Sequence, residues 1–130
     1  MRVFTILLGA FFALSVGASS SFAFETKPFN TKAFEDAQSR GKPILVDVFA
    51  PWCPYCKAQH RVLDHLKSNP AYDEIEVFQI DFDHQPDALR ALKATKQSTL
   101  IAFRGDKETG RAVGITDTQQ IEDLLRSTRN

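Results

Sequence analysis

Ile44-Leu45-Val46-Asp47-Val48-Phe49-Ala50 runs directly into Pro51-Trp52-Cys53-Pro54-Tyr55-Cys56-Lys57. The first seven residues are apolar at every position but one, as a strand covered on both faces requires. After the short turn Pro51-Trp52 a helix is expected to begin at Cys53, with Val62, Leu63 and Leu66 on its buried side and an end near Asn69-Pro70. Cys53 then falls at the helix N-cap, where unpaired backbone N–H groups and the helix dipole stabilise a thiolate. A thiolate so placed is the attacking nucleophile. Pro54 fits the first helical position, where a missing N–H costs nothing. Cys56, one turn further in, is expected to point inward and be the less exposed of the two. Two thiols three residues apart at a helix start can close a disulfide without large backbone movement.

Working outward, Phe24 to Phe29 reads as an extended lead-in, and Asn30 or Thr31 caps a first helix with Phe34 and Ala37 inside, stopped near Gly41. Ile75 to Phe82 is the next strand, ended by His84-Gln85-Pro86. A helix follows over Pro86 to Thr95, with Leu89 and Leu92 facing inward. Thr99 to Phe103 is a strand, Gly105 to Gly110 carries hairpin turn signals, and Ala112 to Ile115 is the partner strand. Thr116 or Asp117 caps a last helix with Ile121, Leu124 and Leu125 as its stripe. After the first helix the order is β-α-β-α-β-β-α. That order predicts an α/β domain with a mixed central sheet flanked by helices: parallel strands first, an antiparallel hairpin last. Phe34, Phe49, Phe78, Phe82 and Phe103 are read as core.

The chain has 130 residues, 16 basic and 16 acidic, and a formal net charge of zero. Residues 1–23 have the pattern of an export signal: Arg2, an apolar run from Val3 to Ala18, then small residues with Ser21 and Ala23 at −3 and −1 of a cleavage site before Phe24. Residues 24–130 are left as one domain of ordinary size. A near-neutral domain lacks the basic footprint of a nucleic-acid binder. No segment after residue 23 approaches the roughly 20 apolar residues that span a bilayer. A periplasmic or secreted, monomeric protein is the expectation, with no stable membrane insertion once the signal is cut.

The two cysteines admit more than one chemistry. A structural zinc needs four ligands, and the chain offers two Cys and three His, at 53, 56, 60, 65 and 84. His60, four residues after Cys56, shares its helix face and leaves a metal reading open, with copper(I) or a shared cluster as the soft-metal version. His65 and His84 carry no partner pattern. Redox chemistry is the reading preferred for a Cys-x-x-Cys between a buried strand and a helix.

The stretch from Val46 to Lys57 resembles the active-site segment of the thioredoxin superfamily, and the likeness continues in register from Phe29 to Ser127. It implies a thioredoxin fold and thiol-disulfide exchange with protein substrates, with no cofactor beyond the cysteine pair. Lys42-Pro43 resembles exported thioredoxin-like domains that take electrons from a membrane thiol reductase, while Cys-Pro-Tyr-Cys is similar to glutaredoxins. Asp47 matches the family's buried acid. An acid among Leu45, Val46, Val48 and Phe49 favours its protonated form and can exchange a proton with Cys56. Where many thioredoxins place a lysine near this acid, the chain has Gln79. Trp52, Pro54 and Tyr55 are expected to face substrate.

The departure from the family lies at Gln97-Ser98-Thr99, three residues assigned to the docking groove. The family places a cis-proline where Ser98 stands. A cis bond before a non-proline residue costs about 2.5–4 kcal/mol, so a trans Gln97–Ser98 bond is expected, with re-aimed backbone groups for substrate pairing. The Ser98 hydroxyl is expected to donate to the Cys53 thiolate. A domain this short has no inserted helical domain of the disulfide-introducing oxidases, which favours a reductase. A peptide-binding module without turnover is the remaining alternative.

Overall fold

Alternation along the strand at residues 43–49 divides the molecule. Ile44, Val46 and Val48 point to one face of the sheet and Leu45 and Asp47 to the other, so each face needs its own cover of helices. In the computed structural model, which describes residues 24–130, both covers are present. The segment read as an export signal, residues 1–23, lies outside the described residues.

The elements follow as β1 (Thr26–Pro28), α1 (Thr31–Ser39), β2 (Pro43–Phe49), α2 (Pro54–Leu66), a 3-10 turn (Pro70–Tyr72), β3 (Glu76–Asp81), α3 (Pro86–Ala91), β4 (Thr99–Arg104), β5 (Lys107–Val113) and α4 (Thr118–Ser127). They form one five-stranded sheet in the order β1-β3-β2-β4-β5. The β1–β3 and β3–β2 pairs are parallel, and β2–β4 and β4–β5 antiparallel. This is the expected mixed α/β sheet of a thioredoxin fold, with the extended lead-in used as its edge strand.

Helix α1 starts where Asn30 accepts from the Ala33 N–H, and α4 where Asp117 accepts from the Gln120 N–H. Both caps satisfy donors that a helix start leaves free. Under α1 and α3, Phe29, Phe34, Phe78 and Phe103 join Ile44, Val46, Val48, Ile80 and Ile101. Under α2 and α4, Leu63, Leu66, Ile121 and Leu125 close on Leu45, Val77 and Leu100. Phe49 and Phe82, expected in the main core, are only partly buried and lie against the cysteines. No described helix is long and apolar enough to cross a membrane.

Two boundaries differ from expectation. Helix α3 stops at Ala91, with Lys93 in the left-handed region (φ 52°), and not at Thr95. Arg111 from β5 donates to the carbonyls of Leu92 and Lys93, a long-range cap invisible to a local reading. Strand β5 begins at Lys107 and not at Ala112, because Gly105 at φ 57° turns the chain at once. A register shift near Ala102 and Phe103 then absorbs one residue of β5 and masks the alternation there.

Candidate active site

Strand β2 ends beside the start of α2, so the segment Ala50 to Cys56 is fixed at both ends. The Cys53 N–H donates to the Ala50 carbonyl, 3.1 Å away, and tightens the turn. Cys53 is the N-cap of α2 and Pro54 its first helical residue, both as expected. Cys53 and Cys56 are joined as a disulfide, with Cα atoms 5.3 Å apart. The Cys56 N–H donates to Cys53 Sγ at 3.1 Å. That donor is one of those a helix start leaves free, and it would serve a Cys53 thiolate in the same place.

Burial does not separate the two cysteines: both are 0% exposed in the disulfide, where Cys56 was expected to be the less exposed. Exposure belongs instead to Trp52 (55%) and Tyr55 (57%), which flank the disulfide with Pro54 on the accessible side. Trp52 is held from below, its indole N–H donating to Asp83 Oδ2 at 2.9 Å and its ring edge-on to Phe82. Large exposed aromatics around a buried reactive pair suit a contact surface.

Asp47 is 1% exposed and lies on the α2 side of the sheet. Its sheet partner across β3 is Gln79, so no lysine approaches from that strand. A partner arrives from the helix: His60 Nε2 lies 2.6 Å from Asp47 Oδ2. The His60 ring also stacks on Phe49, centroids 4.5 Å apart and planes 14° apart. Its pKa is raised above the ordinary histidine value, chiefly by the hydrogen bond to Asp47 and against the opposing effect of partial burial. Asp47 Oδ1, the other carboxyl oxygen, is buried with no partner.

The facing loop is more altered than a single replacement suggests. Every peptide bond among the described residues is trans, Gln97–Ser98 included, and Ser98 adopts φ 58°. Its N–H donates to the Val48 carbonyl at 2.8 Å, a bond that a proline could not make. Its carbonyl accepts from the Gly114 N–H and from Gln59 Nε2, at 2.9 and 3.1 Å. Gln59 also donates to the Ile115 carbonyl and is itself fully buried. The Ser98 hydroxyl makes no hydrogen bond to either sulfur; it lies beside Gly114, so the expected donation to Cys53 is absent from this state. Thr99 is turned inward, 2% exposed, its hydroxyl donating to the Lys96 carbonyl. Gln97, half-buried, is the one member of the trio with a side chain toward the surface.

His60 is expected from sequence as a surface or supporting histidine ahead of a metal ligand, with no partner named for it, and Gln59 is not singled out. Both had a signal. Cys56, Gln59, Leu63 and Leu66 recur on one helical face, so Gln59 is a polar residue on a buried stripe, and a buried acid without its lysine requires another partner within reach. Among the described residues no group of three or more His, Cys, Asp or Glu side chains is arranged to hold a metal ion. His60, the residue that could have joined the cysteines, is engaged with Asp47.

A family model described as thioredoxin matches residues 25–127. The chain belongs to the thioredoxin family. It is 42% identical to Trxlp from Edwardsiella tarda EIB202, whose crystal structure matches with a TM-score of 0.75 over 78% of this chain and 98% of that one. The thioredoxin of Chlamydia muridarum (strain MoPn / Nigg) is 33% identical over 92 residues, 71% of this chain and 87% of its own length. The thiol:disulfide interchange protein DsbE of Haemophilus influenzae (strain ATCC 51907 / DSM 11121 / KW20 / Rd) is 29% identical over 85 residues, 65% of this chain; that match spans 42% of the relative. This thioredoxin-family protein is a thiol-disulfide oxidoreductase, and it carries the Cys53–Cys56 pair at disulfide distance.

Proposed function

We propose that the protein is an exported reductase of protein disulfides, working in the periplasm or outside the cell as a monomer and recharged by a membrane thiol reductase. The observation that carries the chemistry is the disulfide at the α2 N-terminus, with the Cys56 N–H on Cys53 Sγ. Cys53, as thiolate, attacks a substrate disulfide; one substrate sulfur leaves with the electron pair and takes a proton from water. Cys56 then gives its proton to Asp47 and attacks Cys53 Sγ. The Cys53–Cys56 bond forms, the bond from Cys53 to substrate breaks, and the second substrate sulfur leaves as thiolate. The protein is oxidised by two electrons and the substrate disulfide reduced by two, so no organic cofactor is needed.

Trp52, Pro54 and Tyr55 form the docking surface with Gln97 and the backbone of Ser98. The apolar leader at residues 1–23 and Lys42-Pro43 support export and reductive work, and the DsbE relative supports disulfide interchange. In an oxidising compartment that work requires a reductant delivered through the membrane. The deciding measurement is the reduction potential of the Cys53–Cys56 couple, equilibrated against glutathione and read by Trp52 fluorescence. A value near about −270 mV is expected; one near about −120 mV would make the protein an oxidant and reverse the proposed direction.

A further inference from the structure

The pair formed by Asp47 and His60 has features a merely structural pair does not need. Asp47 is sealed at 1% exposure, whereas the His60 side chain is 31% exposed. Its Nε2 edge meets Asp47 Oδ2, while Nδ1 has no protein partner and is not among the buried unpartnered atoms. The ring borders a cleft of about 220 Å³ lined by Phe24, Thr26, His60, Leu63, Asp64 and Lys67. On its inner side Asp47 keeps Oδ1 without a partner. Buried polar atoms are nearly always paired, and the exceptions need a reason. Asp47 and Cys56 lie on adjoining elements: the carbonyl of Val48, the residue after Asp47 in β2, lies 3.7 Å from Cys56 Sγ.

We propose that His60 is the proton exit of this site, a positioning and relay residue that passes to solvent the proton Asp47 receives from Cys56. It rests on the reading that Asp47 is the acceptor for Cys56. As Cys56 attacks, its proton moves to Asp47 Oδ1. His60 starts as the imidazolium paired with the Asp47 carboxylate; as the carboxyl is neutralised, the ring gives its Nδ1 proton to water in the cleft and keeps Nε2–H on Oδ2. One proton enters the pair and one leaves, so the buried site never holds an extra charge. When the disulfide is reduced again, the sequence runs backward and Cys56 regains its proton. Stacking on Phe49 fixes the ring with Nε2 on Asp47 and leaves Nδ1 without a protein partner.

The charged groups that face His60 are few. Asp47 comes from β2, Asp64 from its own helix and Lys67 from that helix's C-cap. The β1 side brings Phe24 and Thr26, which do not titrate. Asp64 reinforces the imidazolium, in the same direction as Asp47. The position lacks the lysine that the family resemblance places opposite the acid, and a histidine differs from a lysine in one decisive respect: it can release and regain a proton near neutral pH.

The test follows the two chemical steps separately. Reduced protein is mixed with an aryl disulfide that releases thionitrobenzoate, and stopped flow records the first release (attack by Cys53) and the second (resolution by Cys56) between about pH 5 and 9. In His60→Gln the second release is expected to slow by about tenfold and lose its inflection near neutrality, with the first unchanged. In Asp47→Asn the second release is slow at every pH, and adding His60→Gln costs nothing more. A wild-type pH profile in His60→Gln beside a slow Asp47→Asn overturns the relay and leaves Asp47 as acceptor. Normal resolution in Asp47→Asn overturns the reading beneath it. As a readout without substitution, the His60 ring is titrated by NMR in the oxidised and reduced protein. Different midpoints in the two redox states are expected, and identical curves would overturn the relay even if His60→Gln failed to fold.

Discussion

On the face of the sheet under α1 and α3, Phe34 packs edge-on against Phe78 and Phe103, at 5.7 and 5.3 Å between centroids, and Phe29 closes the group. The face under α2 and α4 has a comparable aliphatic core, yet it also holds Asp47 and Gln59, each with a buried oxygen that has no partner. Both faces are served by the same strands, residue by alternate residue. The buried cluster of the first face is entirely apolar. The second accepts a cost of roughly 1–3 kcal/mol per unpaired polar group, and it is the face that carries the cysteines. Where a fold tolerates such groups beside a reactive pair, function is the economical explanation.

Truncating the first face gives the largest expected effect. Phe78→Ala removes a fully buried ring that touches two others and should cost about 3–5 kcal/mol in urea unfolding. Turnover per folded molecule should not change. A loss of turnover out of proportion to unfolding would break the division between the faces.

Ser98→Pro comes next. It would install the residue found at this position in the family, yet the substitution should destabilise by about 3 kcal/mol. Proline cannot adopt φ 58°, and it removes the N–H that the Val48 carbonyl accepts. An unchanged midpoint in urea would mean that the loop rebuilds freely, and that the hydrogen bonds around Ser98 hold nothing.

Gln59→Ala tests the clamp behind that loop, with an expected loss of about 2 kcal/mol and faster amide exchange at Ser98 and Ile115. Normal protection at both would show that the Gly114 N–H holds the loop unaided.

The contrast between the faces also sorts what the sequence discloses. The alternation in β2, Cys53 as N-cap, Pro54 at the first helical position and the Asn30 and Asp117 caps are local patterns, and each is read from a few neighbouring residues. Cys53, Cys56 and Asp47 were legible for the same reason: strand, turn and helix start lie together in the chain. What escaped is long-range. His60 meets Asp47 across 13 residues, Gln59 meets Ser98 across 39, and Arg111 caps α3 from across the sheet. A side chain's partner in another element depends on register and helix rotation, which no local spacing encodes. Thr99 shows the converse: it sits beside the altered loop in sequence but turns into the core.

The smallest expected effect is a slope. The pKa of His60 is raised in the folded protein, first by its hydrogen bond to Asp47. A group raised on folding contributes stability that is fully present below its unfolded value, near 6.5, and is lost as pH rises through the folded value. The stability difference between wild type and His60→Gln should therefore be greatest below about pH 6.5 and shrink toward alkaline pH, as read from urea midpoints at successive pH values. Because the ring is partly exposed, solvent screens the pair and keeps the total small. The same substitution at an aliphatic site on the first face would give no such slope. A difference that is flat with pH would place His60 with the packing residues, and the two faces would then differ in composition but not in kind.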